Sequence, residues 1–261
     1  MRKDEYLSSQ AVKDFIAWLE TILDAPRSFI HKYHHEKNDK DYEFDNLFTA
    51  YKKYEWESFY NFDELSISLK NSIDESDERS CAETCNMILK WGGVLNKGNK
   101  KRVSELGSVC SYLLAVRDRL GMDLSSGEYF FPGFQMTSGF SKIYSALLDD
   151  YIIYDSRVSA ALGLLVRAFC VHNEEPVVPL ELMFAWKNGL GKQIRNPSFG
   201  AYVFPGCNTE KQYLENNIRA NWLMSEAART TKSKFADEPL KLKALEKALF
   251  MIGYDLSGFI Y

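Results

Sequence analysis

Hydrophobic residues recur along this chain mostly at intervals of three and four, the spacing that lays one apolar stripe along an α-helix. In residues 8–24, Val12, Phe15, Ile16, Leu19, Ile22 and Leu23 share a stripe, and Ser8 or Ser9 can cap the helix. Phe44, Leu47, Phe48, Tyr51 and Tyr54 repeat the spacing within residues 44–60. Further helices are predicted over 79–91 and 103–121, each stopped by glycine, then near 179–188 and over 209–229. A last one spans about 238–252, with Asp237 as cap and Pro239 in the first turn. The polar run 31–46 reads as a loop or a solvated helix end. "NSIDESDERS" (71–80) reads as an exposed acidic connection and "NKGNKKR" (96–102) as a basic turn. Alternating patterns are weak, and "YIIY" (151–154) is too short to establish a sheet. The expected fold is mainly α: one helical domain over 1–261, with a cleft between two helical lobes.

The centre of the chain departs from simple patterning. "TSG" (137–139) is a run of small residues suited to a tight turn that presents backbone amides to an anion. A short apolar segment carrying Lys142 follows. Thirteen residues after Lys142, Asp155 immediately precedes a long helix in which Val158, Ala161, Leu162, Leu165 and Phe169 share a face. At that position Asp155 is an N-cap: its carboxylate accepts a free amide and sits in the positive end of the helix dipole, both of which favour the ionised form. Capping alone is a sufficient structural reason for an aspartate there, and a fixed carboxylate is also what a catalytic site needs.

Composition narrows the classes. Hydrophobic residues are 46% and charged residues 26%, ordinary for a globular protein. The net charge of −4 argues against a broadly basic nucleic-acid surface and leaves only a local basic stripe for such a role. The five cysteines are odd in number and irregularly spaced, which suits free thiols in a reducing compartment. The first twenty residues have no apolar core of a signal peptide, and no run reaches membrane-spanning length, so a cytoplasmic protein without membrane contact is expected. Cys81 and Cys85, and the cluster His31, His34 and His35, lack a second pair at zinc spacing, so no metal is expected. "GLGKQ" (189–193) lacks the P-loop ending, no serine nucleophile elbow is found, and no cofactor is expected.

Read together, "MTSGFSK" (136–142) and "IYDSRV" (153–158) resemble the helix-hairpin-helix DNA glycosylases, the superfamily of endonuclease III and the 8-oxoguanine glycosylases, in a divergent bacterial form. The resemblance covers about 35 residues, with the helix-hairpin-helix region at about 125–169. It implies that Asp155 is the catalytic carboxylate and Lys142 the hairpin lysine. It also implies that Thr137, Ser138, Gly139 and Ser141 grip a DNA backbone. Arg157 either contacts phosphate or pairs with an acidic neighbour. Lys100, Lys101 and Arg102 form either a phosphate-binding turn or a solvated loop, and Lys192 and Arg195 lie in an irregular segment that is a further candidate for backbone contact. Trp91, Phe131, Phe134 and Tyr154 are candidates for a base pocket, with core packing as their other reading.

The chemistry fits these residue types. Breaking an N-glycosidic bond builds positive charge on the sugar, which a fixed carboxylate stabilises while orienting water. The base must leave the stack and enter an aromatic pocket. The Lys142–Asp155 interval is shorter than the family's, so the expected enzyme is a monofunctional, water-using DNA glycosylase acting on a damaged or modified base. In that reading Lys142 holds the DNA backbone; in a lyase it would instead be the nucleophile. A non-catalytic helix-hairpin-helix module that binds DNA or a protein is the alternative.

Overall fold

The computed structural model describes residues 1–189 and 191–259. Its described residues form eleven α-helices and one two-stranded sheet, so the protein is mainly helical. The N-terminal stripe becomes two helices, α1 (Lys3–Ser8) and α2 (Gln10–Ile22), with Ser9 at their junction. The polar run 31–46 is not a loop. It is an antiparallel hairpin, β1 (His31–His35) with β2 (Lys40–Phe44), in the register His31↔Phe44 and Tyr33↔Tyr42. Those four rings alternate with polar residues and are buried, as a half-buried strand pair requires.

Helix α3 (Leu47–Lys52) is capped by Asn46 and ends well before residue 60. Asn61 caps α4 (Phe62–Asp74), and Asp77 caps α5 (Glu78–Trp91). The acidic connection therefore shrinks to a turn, its first half being helical. The basic turn is also helical, as α6 (Lys97–Ser104). Gly107, in the left-handed region at φ 75°, separates α6 from α7 (Val109–Leu120), so residues 103–121 are not one helix.

Two central helices carry the site. Thr137 caps α8 (Ser138–Leu147), which is buried at every residue from Gly139 to Leu147. Asp155 caps α9 (Ser156–His172), buried continuously from Val158 to Cys170, as a helix apolar on all sides must be. The predicted helix near 179–188 is only a 3-10 turn at Leu180–Leu182. After α10 (Glu210–Thr230), a second 3-10 turn takes up Asp237, and α11 (Lys241–Ile252) begins after Leu240 without a side-chain cap. Helix α11 packs on α3, α9 and α10, while α8 packs on α4, α5 and α7. No helix among the described residues is long and apolar enough to cross a membrane.

Candidate active site

Asp155 adopts an extended N-cap conformation (φ −112°, ψ −171°) because a cap residue must turn its carboxylate back onto the first amides of its helix. Its Oδ1 accepts from the N–H of Arg157 at 2.9 Å and of Val158 at 3.1 Å. Its Oδ2 accepts from Lys142 Nζ at 3.1 Å, and the same ammonium donates to the Ser138 carbonyl at 3.2 Å. Lys142 is 4% exposed and Asp155 13%. Burial pushes the Asp155 carboxyl up, but the Lys142 charge, the Val158 amide and the Arg157 charge outweigh it and hold the group at about 2. It is ionised at neutral pH.

The pair faces a cavity of about 400 Å³. One wall is aromatic: Tyr54, Trp56, Phe62, Trp91 and Phe250 all line it. Phe62 and Trp91 lie 4.3 Å apart between ring centroids, Trp56 and Phe250 meet edge to face at 5.2 Å, and Trp56 Nε1 donates to the Trp91 carbonyl at 2.9 Å. The other wall is polar. Lys243 of α11 donates to the Tyr151 carbonyl at 2.7 Å and lies 3.4 Å from Glu246 Oε2. Burial raises the Glu246 carboxyl; Lys243 lowers it only in part, and the nearby Asp155 charge raises it further. Among the carboxyl groups lining this cavity, that of Asp155 is pushed down and that of Glu246 is pushed up.

A second cavity, of about 700 Å³, shares Trp56, Tyr60 and Trp91 with the first. Arg157, Arg195, Tyr33, His35 and Tyr254 line it. The Arg157 guanidinium lies 4.2 Å from the Phe250 ring centroid, 4.8 Å from that of Tyr254 and 5.6 Å from that of Trp56.

The residues singled out from sequence are only partly brought together. Lys142 and Asp155 line one cavity, Arg157 and Arg195 the other, and Trp91 both. In the "TSG" turn, the Thr137 side chain takes two of the amides at the start of α8. Thr137 Oγ1 accepts from the Gly139 and Phe140 N–H groups at 3.1 and 3.2 Å, and donates to Asn99 Oδ1 at 3.1 Å. Gly139 is a packing residue: a Cβ there would meet Leu89 at 2.6 Å and Asn99 at 2.7 Å. Ser141 is fully buried and so forms no exposed DNA grip, while the Ser138 carbonyl accepts from Lys142. Arg102 pairs with Glu210 at 2.7 Å and Lys101 with Glu105 at 3.5 Å, while Lys100 is exposed; all three lie on α6, outside both cavities.

Phe131, Phe134 and Tyr154 do not line the cavities. Phe134 packs against Phe131 at 5.0 Å and Tyr144 at 5.5 Å, and Tyr154 is buried with its hydroxyl on the Ala185 carbonyl at 2.6 Å. Their apolar area is used in the core. The aromatic wall comes largely from residues not singled out for it. Its sequence signal was the density of rings in "YEWESFYNF" (54–62), a run otherwise polar enough to be a surface loop. Lys243 and Glu246 carried no signal beyond an ordinary helical i,i+3 pair. Among the described residues no cluster of three or more His, Cys, Asp or Glu side chains could hold a metal ion. Compared with protein-family profiles, with curated proteins and with solved structures, the chain matches none.

Proposed function

We propose that the chain is a helix-hairpin-helix glycosylase-like enzyme that hydrolyses the N-glycosidic bond of a damaged or modified base in DNA. The observation that carries this reading is an ionised, rigidly held carboxylate facing an aromatic-walled cavity of about 400 Å³. A base withdrawn from the stack enters the cavity against its aromatic wall, where ring faces replace the stacking it has lost. Asp155, fixed by two amides and an ammonium, stabilises the positive charge that develops on the sugar and orients the attacking water. Glu246, which lines the same cavity, is the group we assign to proton transfer toward the departing base.

Lys142 has a different part from the one expected of a backbone contact. At 4% exposure it does not reach a DNA surface, and its hydrogen bonds commit it to Asp155 and Ser138. It positions the carboxylate, which favours water over an enzyme amine as nucleophile and hence a monofunctional reaction.

The test is incubation with duplex and single-stranded DNA carrying a panel of damaged and hypermodified bases, scored for abasic sites. Asp155→Asn keeps a capping side chain but loses the charge, so base release should fall by about two orders of magnitude or more. Undiminished release in that variant removes Asp155 from catalysis. Salt-sensitive DNA binding without release from any substrate favours the non-catalytic module instead. Borohydride trapping of an adduct lost in Lys142→Ala would establish the amine route.

A further inference from the structure

The second cavity holds two arginines, Arg157 and Arg195, that form no ion pair among the described residues. Arg195 is 8% exposed. Its Nε donates to the Tyr254 carbonyl at 3.2 Å and its Nη1 to the hydroxyl of Ser156, the first residue of α9. Gly189 makes room for it, since a Cβ at that position would collide with the guanidinium. Arg157, one residue further along α9, is flanked by the rings of Phe250, Tyr254 and Trp56, and its guanidinium makes no hydrogen bond or ion pair among the described residues. The N–H donors of this half-buried guanidinium are therefore flanked by π faces and left to the cavity.

The arginines line the cavity together with Tyr33, Tyr254 and His35. The carboxylates lining it, Glu36, Glu55 and Glu57, are exposed. Glu55 is occupied by Lys40 at 2.5 Å and the Tyr42 hydroxyl at 2.8 Å, and Glu36 lies 3.4 Å from Gln193 Nε2. The carboxylate nearest in sequence, Asp155, already accepts three donors. Burial lowers the Arg157 pKa, and the Arg195 charge lowers it further against the opposing pull of Asp155. An anion between the guanidinia relieves both penalties, and guanidinium forks match the geometry of phosphate oxygens.

We propose that this cavity is a phosphate-ester site in which Arg157 and Arg195 hold the phosphate of the nucleotide whose base occupies the Asp155 cavity across Trp56. The nucleotide assignment rests on the N-glycosidic reading; the arginine anion site does not. The phosphate can belong to a DNA strand or to a free nucleotide, and the two are separable by experiment.

The probes are inorganic phosphate, a nucleoside 5′-monophosphate and a short single-stranded oligonucleotide, titrated by calorimetry and thermal shift into the whole chain and into Arg157→Gln, Arg157→Lys and Arg195→Gln. Wild-type protein should bind phosphate at one saturable site. Either glutamine variant should weaken binding roughly tenfold or more, the loss expected of a charged hydrogen-bonding partner, and the lysine variant should recover part of it. No phosphate binding by the wild type, or equal binding by folded glutamine variants, overturns the proposal. Should those variants not fold, tryptophan emission decides: phosphate should change it in the wild type and not in Trp56→Phe, and an unaltered response in Trp56→Phe overturns the site. Tighter binding of the monophosphate than of the oligonucleotide identifies a free nucleotide as the source, and the reverse a strand. Phosphate binding with no base release from any substrate refutes the glycosidic reading and leaves the anion site standing.

Discussion

The Lys142–Asp155 ion pair shows how burial turns a common contact into a constraint. Exposed pairs contribute little, but a buried charge stripped of its partner is costly. Lys142→Met should therefore destabilise the protein by about 3–5 kcal/mol, read from urea unfolding. Lys142→Met/Asp155→Asn should cost less than the sum of the single changes, because the double variant leaves no unpaired buried charge. Acid should expose two residues in turn. His31 is fully buried, and neither ring nitrogen finds a hydrogen-bond partner in good geometry. Burial lowers its pKa from 6.5 to about 4; Asp255 and the backbone of Ile252 offset only part of that. The unfolded chain then binds the extra proton, so stability should fall as pH drops from about 6.5 to about 4, by up to about 3 kcal/mol. Asp155, depressed instead, keeps its contribution above about 4 and loses it as pH falls toward about 2. His31→Phe should flatten the first window of a melting-temperature profile and leave the second.

At the scale of elements, the start of α8 depends on a residue without a side chain. Gly139→Ala should push a methyl group into Leu89 and Asn99, loosening α8 from α5 and α6 at a cost of about 1–3 kcal/mol by thermal or urea unfolding. The same position shows what could be read in advance. A glycine in a small-residue turn before Lys142 is visible in the sequence, and so is an aspartate where α9 must begin, because capping and helical periodicity are local. Whether Gly139 approaches a ligand or another helix is not local; the partners Leu89 and Asn99 are 50 and 40 residues upstream. The hairpin of β1 and β2 was hidden for another reason. His31 and His35 count as polar in a patterning argument, so the alternation reduced to Tyr33, Tyr42 and Phe44. The cavity walls were least legible, since α4, α5, α8, α11, the Asp155 cap of α9 and the 53–61 segment meet only after folding.

For the whole molecule, α11 joins distant parts of the chain by packing on α3, α9 and α10 while lining the Asp155 cavity with Lys243, Glu246 and Phe250. A chain ending at residue 239 should therefore lose more than its site. Calorimetry of the intact protein should show one cooperative transition, and the shortened chain should show none. The two cavities are also mechanically close, because Trp56 is a wall of both and its ring lies beside Arg157. An occupant that shifts Trp56 toward one cavity reshapes the other, and linkage makes the effect symmetrical: by whatever factor an anion at Arg157 changes affinity for an aromatic guest, the guest changes affinity for the anion. A fragment that binds one compartment therefore doubles as a gauge of the other.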